Sequence, residues 1–494
     1  MKIKSLLNLL LICSIFTATF ISCDKTTDDF VDVEEEDFVD EEEVEDQPWV
    51  YQVCTKLSDY DATSFPEGDV WSVSDSTLSN VSANFDGLKR AIAAAKSLNK
   101  DLTLTIVLEN LDEIPEFAFN DENVDADYTI VSISAPNAKK IGQYAFKSCY
   151  ALEELDIPLV TEIGEGAFYN CISIESLSLP SVVSIEEYAF KRCYDLVSIE
   201  LPIAESIGFF AFTECLSLTS FNMPSTLTYL GAGAFNKCSS LDYIDTSAHP
   251  SYMFDNGMLA SGDGKTIYQV FNHKIVDGYF SSEDAEIVHP YAFYGLSALY
   301  DVSLPNVTTI GEYAFYGCRY LYDPNFSSIK RVENNAFANC VSLFGFVFHT
   351  LEYIGDYAFY NCTGLFLVGS SSLSYVGNYA LYGCTYLDHA WFPEALTVGD
   401  GAFDNNLVMT YIMLPKVESL GVMTFNGCTS LWYLELATSE GAKIKHISQV
   451  QGDNNNTSNI RLYVGSANAE YVSGNTLSVG DYTATFASIT FYDE

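Results

Sequence analysis

A motif of the form Ala-Phe-x-x-Cys, or a close variant, recurs about every 22 residues in this chain, and no other feature constrains its fold as strongly. The twelve apolar anchors of the motif are Phe146, Phe168, Phe190, Phe212, Phe235, Phe293, Phe315, Phe337, Phe359, Leu381, Phe403 and Phe425. Ten of them are followed at the third position by Cys149, Cys171, Cys193, Cys215, Cys238, Cys318, Cys340, Cys362, Cys384 and Cys428, and the other two by Leu296 and Asn406. A fixed period of this length predicts a solenoid, in which each coil packs only against its neighbours.

The residues between two anchors predict the path of one coil. Leu155 and Ile157 alternate with polar residues, which is typical of a short strand with one buried face. Pro158 ends that strand because proline has no N–H to donate. Ile163 and Gly164 then precede a tight bend. One coil cannot bury its own apolar face, so the strands of a dozen stacked coils are expected to form a parallel sheet.

The order Leu-x-x-Leu-x-Leu followed by Ala-Phe-x-x-Cys resembles a leucine-rich repeat, and more narrowly the BspA-like class of bacterial surface proteins. The resemblance covers residues 110–436, about two thirds of the chain. It implies an α/β-type solenoid whose short parallel strands line a concave face. It also implies a non-enzymatic adhesin that binds host matrix proteins such as fibronectin or fibrinogen.

Three interpretations compete for the ten regularly spaced cysteines. A disulfide framework is usual in a cysteine-rich secreted protein, but stacked coils would point successive side chains in parallel, against the disulfide dihedral angle. A metal cluster needs closely spaced Cys or His ligands, and the sequence has none at such spacings. We therefore predict a structural column of buried thiols that pack as small apolar groups and bond weakly to turn carbonyls. Reduced thiols in an exported protein suit an anaerobe.

The first 22 residues have the composition of a secretory signal peptide, with two lysines, an apolar run and small residues. The run Phe20-Ile21-Ser22-Cys23 resembles a lipobox. That resemblance implies cleavage before Cys23 and acylation of its thiol. The alternative is an ordinary signal peptide with a chance cysteine.

An acidic segment follows, with fourteen Asp and Glu against one Lys between residues 24 and 46. Like charge and low apolar content predict a disordered tether over residues 23–48. Acidic residues directly after a lipidated cysteine also resemble an export signal for the outer face of the outer membrane. We therefore expect a lipid-anchored protein exposed on the cell surface.

Three further segments flank or interrupt the repeats. Residues 49–109 are expected to form an N-terminal cap, with an amphipathic helix over 85–98 and a strand over 102–108. An insert near 247–284 contains two strand-like runs around Ser261-Gly262-Asp263-Gly264, which predicts a hairpin. Residues 437–494 are expected to form a C-terminal β cap, with strands over 460–464 and 482–492.

Charge and motifs narrow the classes of function. The net charge of −44 argues against nucleic-acid and other polyanionic partners, which are bound through Lys and Arg. We find no catalytic motif, no cofactor motif and no EF-hand spacing around Asp263, so we predict no catalytic residues, no cofactor and no metal. A pair of glycosidase carboxylates stays open, because acids are abundant and their separation in space is unknown.

The outward strand positions lie seven, eight and ten residues after each anchor, and their character changes along the array from acidic to aromatic. The candidate ligand-binding residues on the late coils are Phe344, Phe366, Leu367, His389, Trp391, Tyr411, Trp432 and Tyr433. Exposed aromatic side chains are typical of interaction sites. The alternatives are that the C-terminal cap covers them or that they merely favour β structure. Aromatic residues two positions before seven of the anchors are expected to pack between coils: Tyr144, Tyr188, Phe210, Tyr291, Tyr313, Tyr357 and Tyr379.

These patterns predict a surface lipoprotein that binds host extracellular proteins or other cell surfaces, without enzymatic activity. Aromatic rings also stack on sugars, so one alternative is a glycan-capturing lipoprotein of a polysaccharide uptake system. Another is a structural component of a surface assembly.

Overall fold

The computed structural model describes residues 70–74, 103–108, 111–120, 130–271, 275, 277–447 and 457–492. All of them fall within one compact unit, Cys54–Glu494. The predicted signal peptide, the acidic tether and the helix over 85–98 lie outside the described residues.

The first parallel ladder is built from the Leu-x-Leu segment of each coil, and its strands fall into five hydrogen-bonded sheets. In Ser176–Ser178, Leu177 is buried while the two serines face solvent, so each short strand has one core side and one open side. The strands are Val70–Ser74, Thr103–Val107, Ile130–Ser134, Glu154–Asp156, Ser176–Ser178, Ser198–Glu200, Ser220–Asn222, Tyr243–Asp245, Tyr279–Ser281, Asp301–Ser303, Gly345–Val347, Leu367–Gly369, His389–Trp391, Tyr411–Leu414, Tyr433–Leu436, Arg461–Val464 and Ser488–Phe491. We call the open side of this ladder the strand face.

A second parallel ladder, in two sheets that the insert separates, runs through the Ile-Gly segment, where the sequence had indicated only a bend. Glu162–Ile163 pairs with Lys140–Ile141 on one side and with Ser184–Ile185 on the other. Each isoleucine or its equivalent points into the core. The strands of this ladder are Glu113–Ile114, Lys140–Ile141, Glu162–Ile163, Ser184–Ile185, Ser206–Ile207, Tyr229–Leu230, Thr266–Val270, Ile287–Val288, Thr309–Ile310, Arg331–Val332, Tyr353–Ile354, Tyr375–Val376, Thr397–Val398, Ser419–Leu420 and His446–Ile447.

The Ala-Phe-x-x-Cys segment closes each coil as a run of turns, and the described residues contain no α-helix. Two left-handed residues flank the anchor; around Phe315 they are Tyr313, with φ of 54°, and Gly317, with φ of 69°. The anchor N–H donates to the alanine C=O of the next coil, as from Phe315 to Ala336 at 2.7 Å. The protein is therefore a parallel β-solenoid of leucine-rich repeats.

The anchors form a stacked column in the core. The rings of Phe315 and Phe337 lie 5.1 Å apart at an interplanar angle of 2°, and those of Phe337 and Phe359 lie 5.4 Å apart at 3°. All of these side chains are fully buried. Leu381 interrupts the column between Phe359 and Phe403 without leaving the core.

The cysteines form a second column beside the rings. All ten are free and buried. In nine coils the thiol donates to the backbone carbonyl oxygen of the anchor in the preceding coil at 2.9–3.2 Å, as from Cys340 to Phe315. Burial raises the pKa of the Cys318 thiol to about 12, so the thiol stays protonated and keeps its proton for this bond.

The insert is an antiparallel sheet rooted in the second ladder. Met258–Ser261 pairs antiparallel with Thr266–Val270, and Tyr252–Asp255 adds a third strand. The inner end of Thr266–Val270 pairs in parallel with Ile287–Val288. The Asp263 carboxylate accepts hydrogen bonds from Ser261 Oγ and the Lys265 N–H, which close the turn.

Both ladders continue into the region that the sequence had indicated as a separate cap. Arg461–Val464 pairs in parallel with Tyr433–Leu436, and Ser488–Phe491 pairs with Arg461–Val464. The remaining elements are 3-10 helices at Thr457–Asn459 and Ser466–Tyr471 and an antiparallel sheet of Val472–Ser473, Thr476–Val479 and Tyr482–Thr485.

Replacing Gly377 by Ala is expected to destabilise the fold. A Cβ at this position would lie 2.5 Å from Asp356 N and 2.6 Å from Asp356 Oδ1 in the preceding coil. Relieving that overlap must separate two coils, so we expect a loss of at least about 2 kcal/mol in thermal or urea unfolding. Gly345→Ala is the matched control, because a Cβ there meets no atom within 4 Å. Equal stability of the two variants would contradict the close packing of coils at Gly377.

Asn406→Cys is expected to stabilise the protein. Asn406 occupies the cysteine position of its coil, is fully buried, and neither atom of its side-chain amide has a hydrogen-bond partner. Cysteine removes the unpaired amide and restores a thiol to the column, for a gain of about 1–2 kcal/mol in urea unfolding. Leu296→Cys is the control: it removes buried apolar volume and relieves no unpaired group, so it should lower stability. An unchanged or lower stability of Asn406→Cys would show that the amide is already satisfied.

Candidate functional site

The parallel register aligns equivalent strand-face residues from coil to coil. Leu367 pairs with His389, His389 with Tyr411, and Tyr411 with Tyr433. Neighbouring strands of a sheet lie about 4.8 Å apart, so residues far apart in sequence become a continuous surface. Five of the predicted site residues therefore lie in adjacent strands, and the other three, Phe344, Phe366 and Trp432, directly precede theirs.

Four rings at the seventh position after the anchor form a stacked row, which we call the ring row: Tyr300, Tyr322, Phe344 and Phe366. Their centroids are 6.1, 5.5 and 5.9 Å apart in that order, with interplanar angles of 20° or less. Tyr300 is 56% exposed and Phe344 36%. The sequence pattern had indicated only Phe344 and Phe366 as site residues. Their shared position in the repeat is the signal that would have added the two tyrosines.

A second stack, the tyrosine row, consists of Tyr411 and Tyr433 at the eighth position and of Tyr463, whose ring stacks on Tyr433 although its backbone pairs with Glu435. Successive centroids are 4.4 Å apart, and His389 lies 5.8 Å before the first ring. The Tyr433 hydroxyl donates to Glu435 Oε2 at 3.1 Å. Burial and the Glu435 carboxylate raise the pKa of the Tyr433 phenol, so the hydroxyl stays protonated as a donor. Sequence reasoning missed Tyr463, because the spacing between coils changes beyond residue 436.

The two candidate tryptophans differ in their surroundings. Trp391 is half-buried, and its ring lies against Gly369 of the preceding strand, where a Cβ would be 3.5 Å from Trp391 Cε3. Trp432 is 47% exposed, and the Arg461 guanidinium lies 5.7 Å from its ring centroid. The C-terminal segment 457–492 therefore leaves Trp432 open to solvent.

A short polar stretch lies between the two ring stacks. Thr410 Oγ1 donates to Asp388 Oδ1 at 2.6 Å, and His389 Nδ1 lies 3.1 Å from Asp388 Oδ2. Leu367 is half-buried beside them. The structure thus places all eight predicted residues in or directly before successive strands of the first ladder, with Asp388 and Thr410 between the stacks.

The earlier half of the strand face is acidic. Its carboxylates are Glu153, Glu154, Asp156, Glu175, Glu200, Asp242, Asp245, Asp301 and Asp323. Many cations instead pair with acids beside the second ladder, as in Lys265–Glu286 at 2.6 Å and Lys445–Glu418 at 2.6 Å. Charge is therefore distributed unevenly between the two ladders.

Other kinds of site find little support in the described part of the sequence. It contains no group of three His, Cys, Asp or Glu side chains placed to hold a metal ion. No helix among these residues has the length and hydropathy to cross a bilayer. His249 is buried and bonds to the Leu227 C=O at 2.8 Å, which is a structural role.

A family model described as the BspA type leucine rich repeat region matches residues 161–261, 267–388, 327–432 and 352–460, well over half of the sequence. The chain belongs to this family. BspA-type repeats point to a protein-binding or adhesion scaffold on a bacterial cell surface rather than to a catalytic family. No curated protein matches the sequence.

Solved structures include similar leucine-rich repeat proteins. A leucine rich cell surface protein from Faecalibacterium prausnitzii is 27% identical, with a TM-score of 0.49. The match covers 59% of this BspA-type protein and 79% of the Faecalibacterium prausnitzii chain. A leucine-rich repeat protein from Bacteroides ovatus is 25% identical, with a TM-score of 0.37, and the match covers 63% of this protein and 88% of the Bacteroides ovatus chain. The pneumococcal vaccine antigen PcpA is 19% identical, with a TM-score of 0.45, and the match covers 74% of this protein and 81% of the PcpA chain.

Proposed function

We propose that this protein is a non-enzymatic binding module of the bacterial surface, and that it captures a host extracellular protein or a protein of another cell through the strand face of its coils from Tyr300 to Tyr463. The observation that carries the proposal is the pair of stacked aromatic rows on an open sheet. Family membership supports the binding role.

Large rings on solvent-facing strand positions are not needed by the fold. In early coils the eighth position holds Ser176, Ser198 and Ser220, and the strands form there without rings. The seventh position, which carries the ring row, holds Glu175, Val197 and Thr219 in the same coils. Tyrosine and tryptophan supply most hot-spot residues of protein interfaces, and exposed apolar patches mark interaction sites. Stacking against neighbouring coils already restricts the rings, so binding loses little side-chain entropy.

We further propose that acylated Cys23 anchors the protein to the outer membrane and that the acidic segment to residue 48 spaces the solenoid from the bilayer. The support is the sequence of the first 46 residues. A single acyl group binds membranes weakly, so stable anchoring would need the multiple acylation that lipobox processing implies.

Phe344→Ala with Trp432→Ala is expected to weaken partner binding. The protein from residue 24, with Cys23 removed, is screened against host matrix proteins and against plant and host polysaccharides. Because the variant lacks two hot-spot rings, the Kd for the captured protein should rise at least about tenfold, as measured by surface plasmon resonance. Tyr320→Ala with Tyr386→Ala is the matched control, since it removes two rings that are 61% and 67% exposed outside the strand face.

A protein partner lost only in the Phe344/Trp432 variant would support the proposal. Equal loss in the Tyr320/Tyr386 variant would place the site elsewhere. Capture of an oligosaccharide alone would favour the glycan-binding alternative, and self-association without any other partner would favour a structural component of a surface assembly.

A further inference from the structure

We infer that the partner presents a basic, arginine-bearing polypeptide segment, and that this segment lies along the ring row with its guanidinium groups over the rings and against Asp301 and Asp323. The inference rests on the proposed function and specifies the chemistry of the partner. Three independent features of the strand face carry it: its charge, its rings and an arginine contact that it already contains.

The charge of the strand face has one sign over most of its length. The outward strand positions of the coils from residue 153 to residue 435 include no lysine and no arginine. Asp323 is exposed and Asp301 is half-exposed, and neither takes part in any ion pair found within the described residues. A basic partner is the charge-complementary one, whereas an anionic polymer is repelled.

Two rings of the ring row are sequence neighbours of these carboxylates. Tyr300 directly precedes Asp301, and Tyr322 directly precedes Asp323. A guanidinium group is planar, stacks on aromatic faces and bonds to carboxylates through two N–H groups. An ammonium group lacks the planar fork, so arginine fits this combination better than lysine.

The molecule already contains the same combination of groups. Arg461 lies 5.7 Å from the ring centroid of Trp432, which occupies the ring-row position of its own coil. On the second ladder, Arg331 lies 4.0 Å from the ring centroid of Tyr353 while its Nε donates to Glu333 Oε1 at 2.8 Å. These internal contacts show that arginine, ring and carboxylate assemble at the coil spacing of this solenoid.

The test uses a fluorescent peptide in which arginine and serine alternate. Its binding to the protein from residue 24 is measured by fluorescence anisotropy at near-physiological salt. The comparison peptides carry lysine or the neutral isostere citrulline in place of arginine. We expect the arginine peptide to bind, the lysine peptide to bind several-fold more weakly, and the citrulline peptide not to bind.

Two double variants at the ring row and one control double variant distinguish binding at the ring row from general attraction to a negatively charged protein. Asp301→Asn with Asp323→Asn, and separately Tyr300→Leu with Phe344→Leu, should each weaken arginine-peptide binding about tenfold. Glu440→Gln with Asp481→Asn removes the same two charges from exposed positions away from the ring row and should change the Kd less than about twofold. Unchanged thermal unfolding of each variant excludes misfolding.

Equal losses in the Asp301/Asp323 and Glu440/Asp481 variants would overturn the inference, because they would show non-specific attraction to an acidic protein. Absence of arginine-peptide binding would overturn it as well. If a captured protein depends on Phe344 and Trp432 but is not displaced by the arginine peptide, the inference is wrong while the proposed function stands. Displacement of that protein by the peptide supports both.

Discussion

Contact between the buried anchor of one coil and the buried anchor of the next is the interaction on which the rest of the structure depends. The rings of Phe315, Phe337 and Phe359 stack almost parallel at 5.1 and 5.4 Å, close to the spacing of strands in a sheet. In nine coils the thiol reaches back to the anchor carbonyl of the coil before it, and anchor N–H groups such as that of Phe315 donate forward to the next alanine. Each coil is thus held on both sides, which requires the sequence to repeat at nearly constant length.

This constraint leaves the strand face free to vary. The core uses the inward residues and the turns, while most outward positions are open to solvent, Glu435 being a buried exception. Rings placed there at successive coils must stack, as in the row from Tyr300 to Phe366, because the core fixes their separation. Several cations lie beside the second ladder instead, where residues of adjacent coils such as Lys265 and Glu286 form ion pairs. The core therefore allows a strand face with acidic groups and ordered rings, because the core does not depend on the side chains at those positions.

The repeat predicted the solenoid, the first ladder and the buried thiols because each rests on a periodic pattern. The second ladder was missed, since two residues such as Glu162–Ile163 are too short to show alternation. Left-handed φ values at Tyr313 and Tyr357 could not be predicted from residues that seldom adopt them; they arise because the turns must close over the anchor. Tyr463 joined the candidate site only in the structure, because its coil departs from the 22-residue period.

Hydroxyl-radical footprinting of the protein with and without its captured partner tests the central claim, that the strand face is the binding surface, most directly. The account predicts that oxidation of Tyr300, Phe344 and Trp432 falls on binding while oxidation of Tyr320 and Tyr386 is unchanged, because all five rings are exposed in the free protein. Protection of Tyr320 and Tyr386, with continued oxidation of the three strand-face rings, would contradict it.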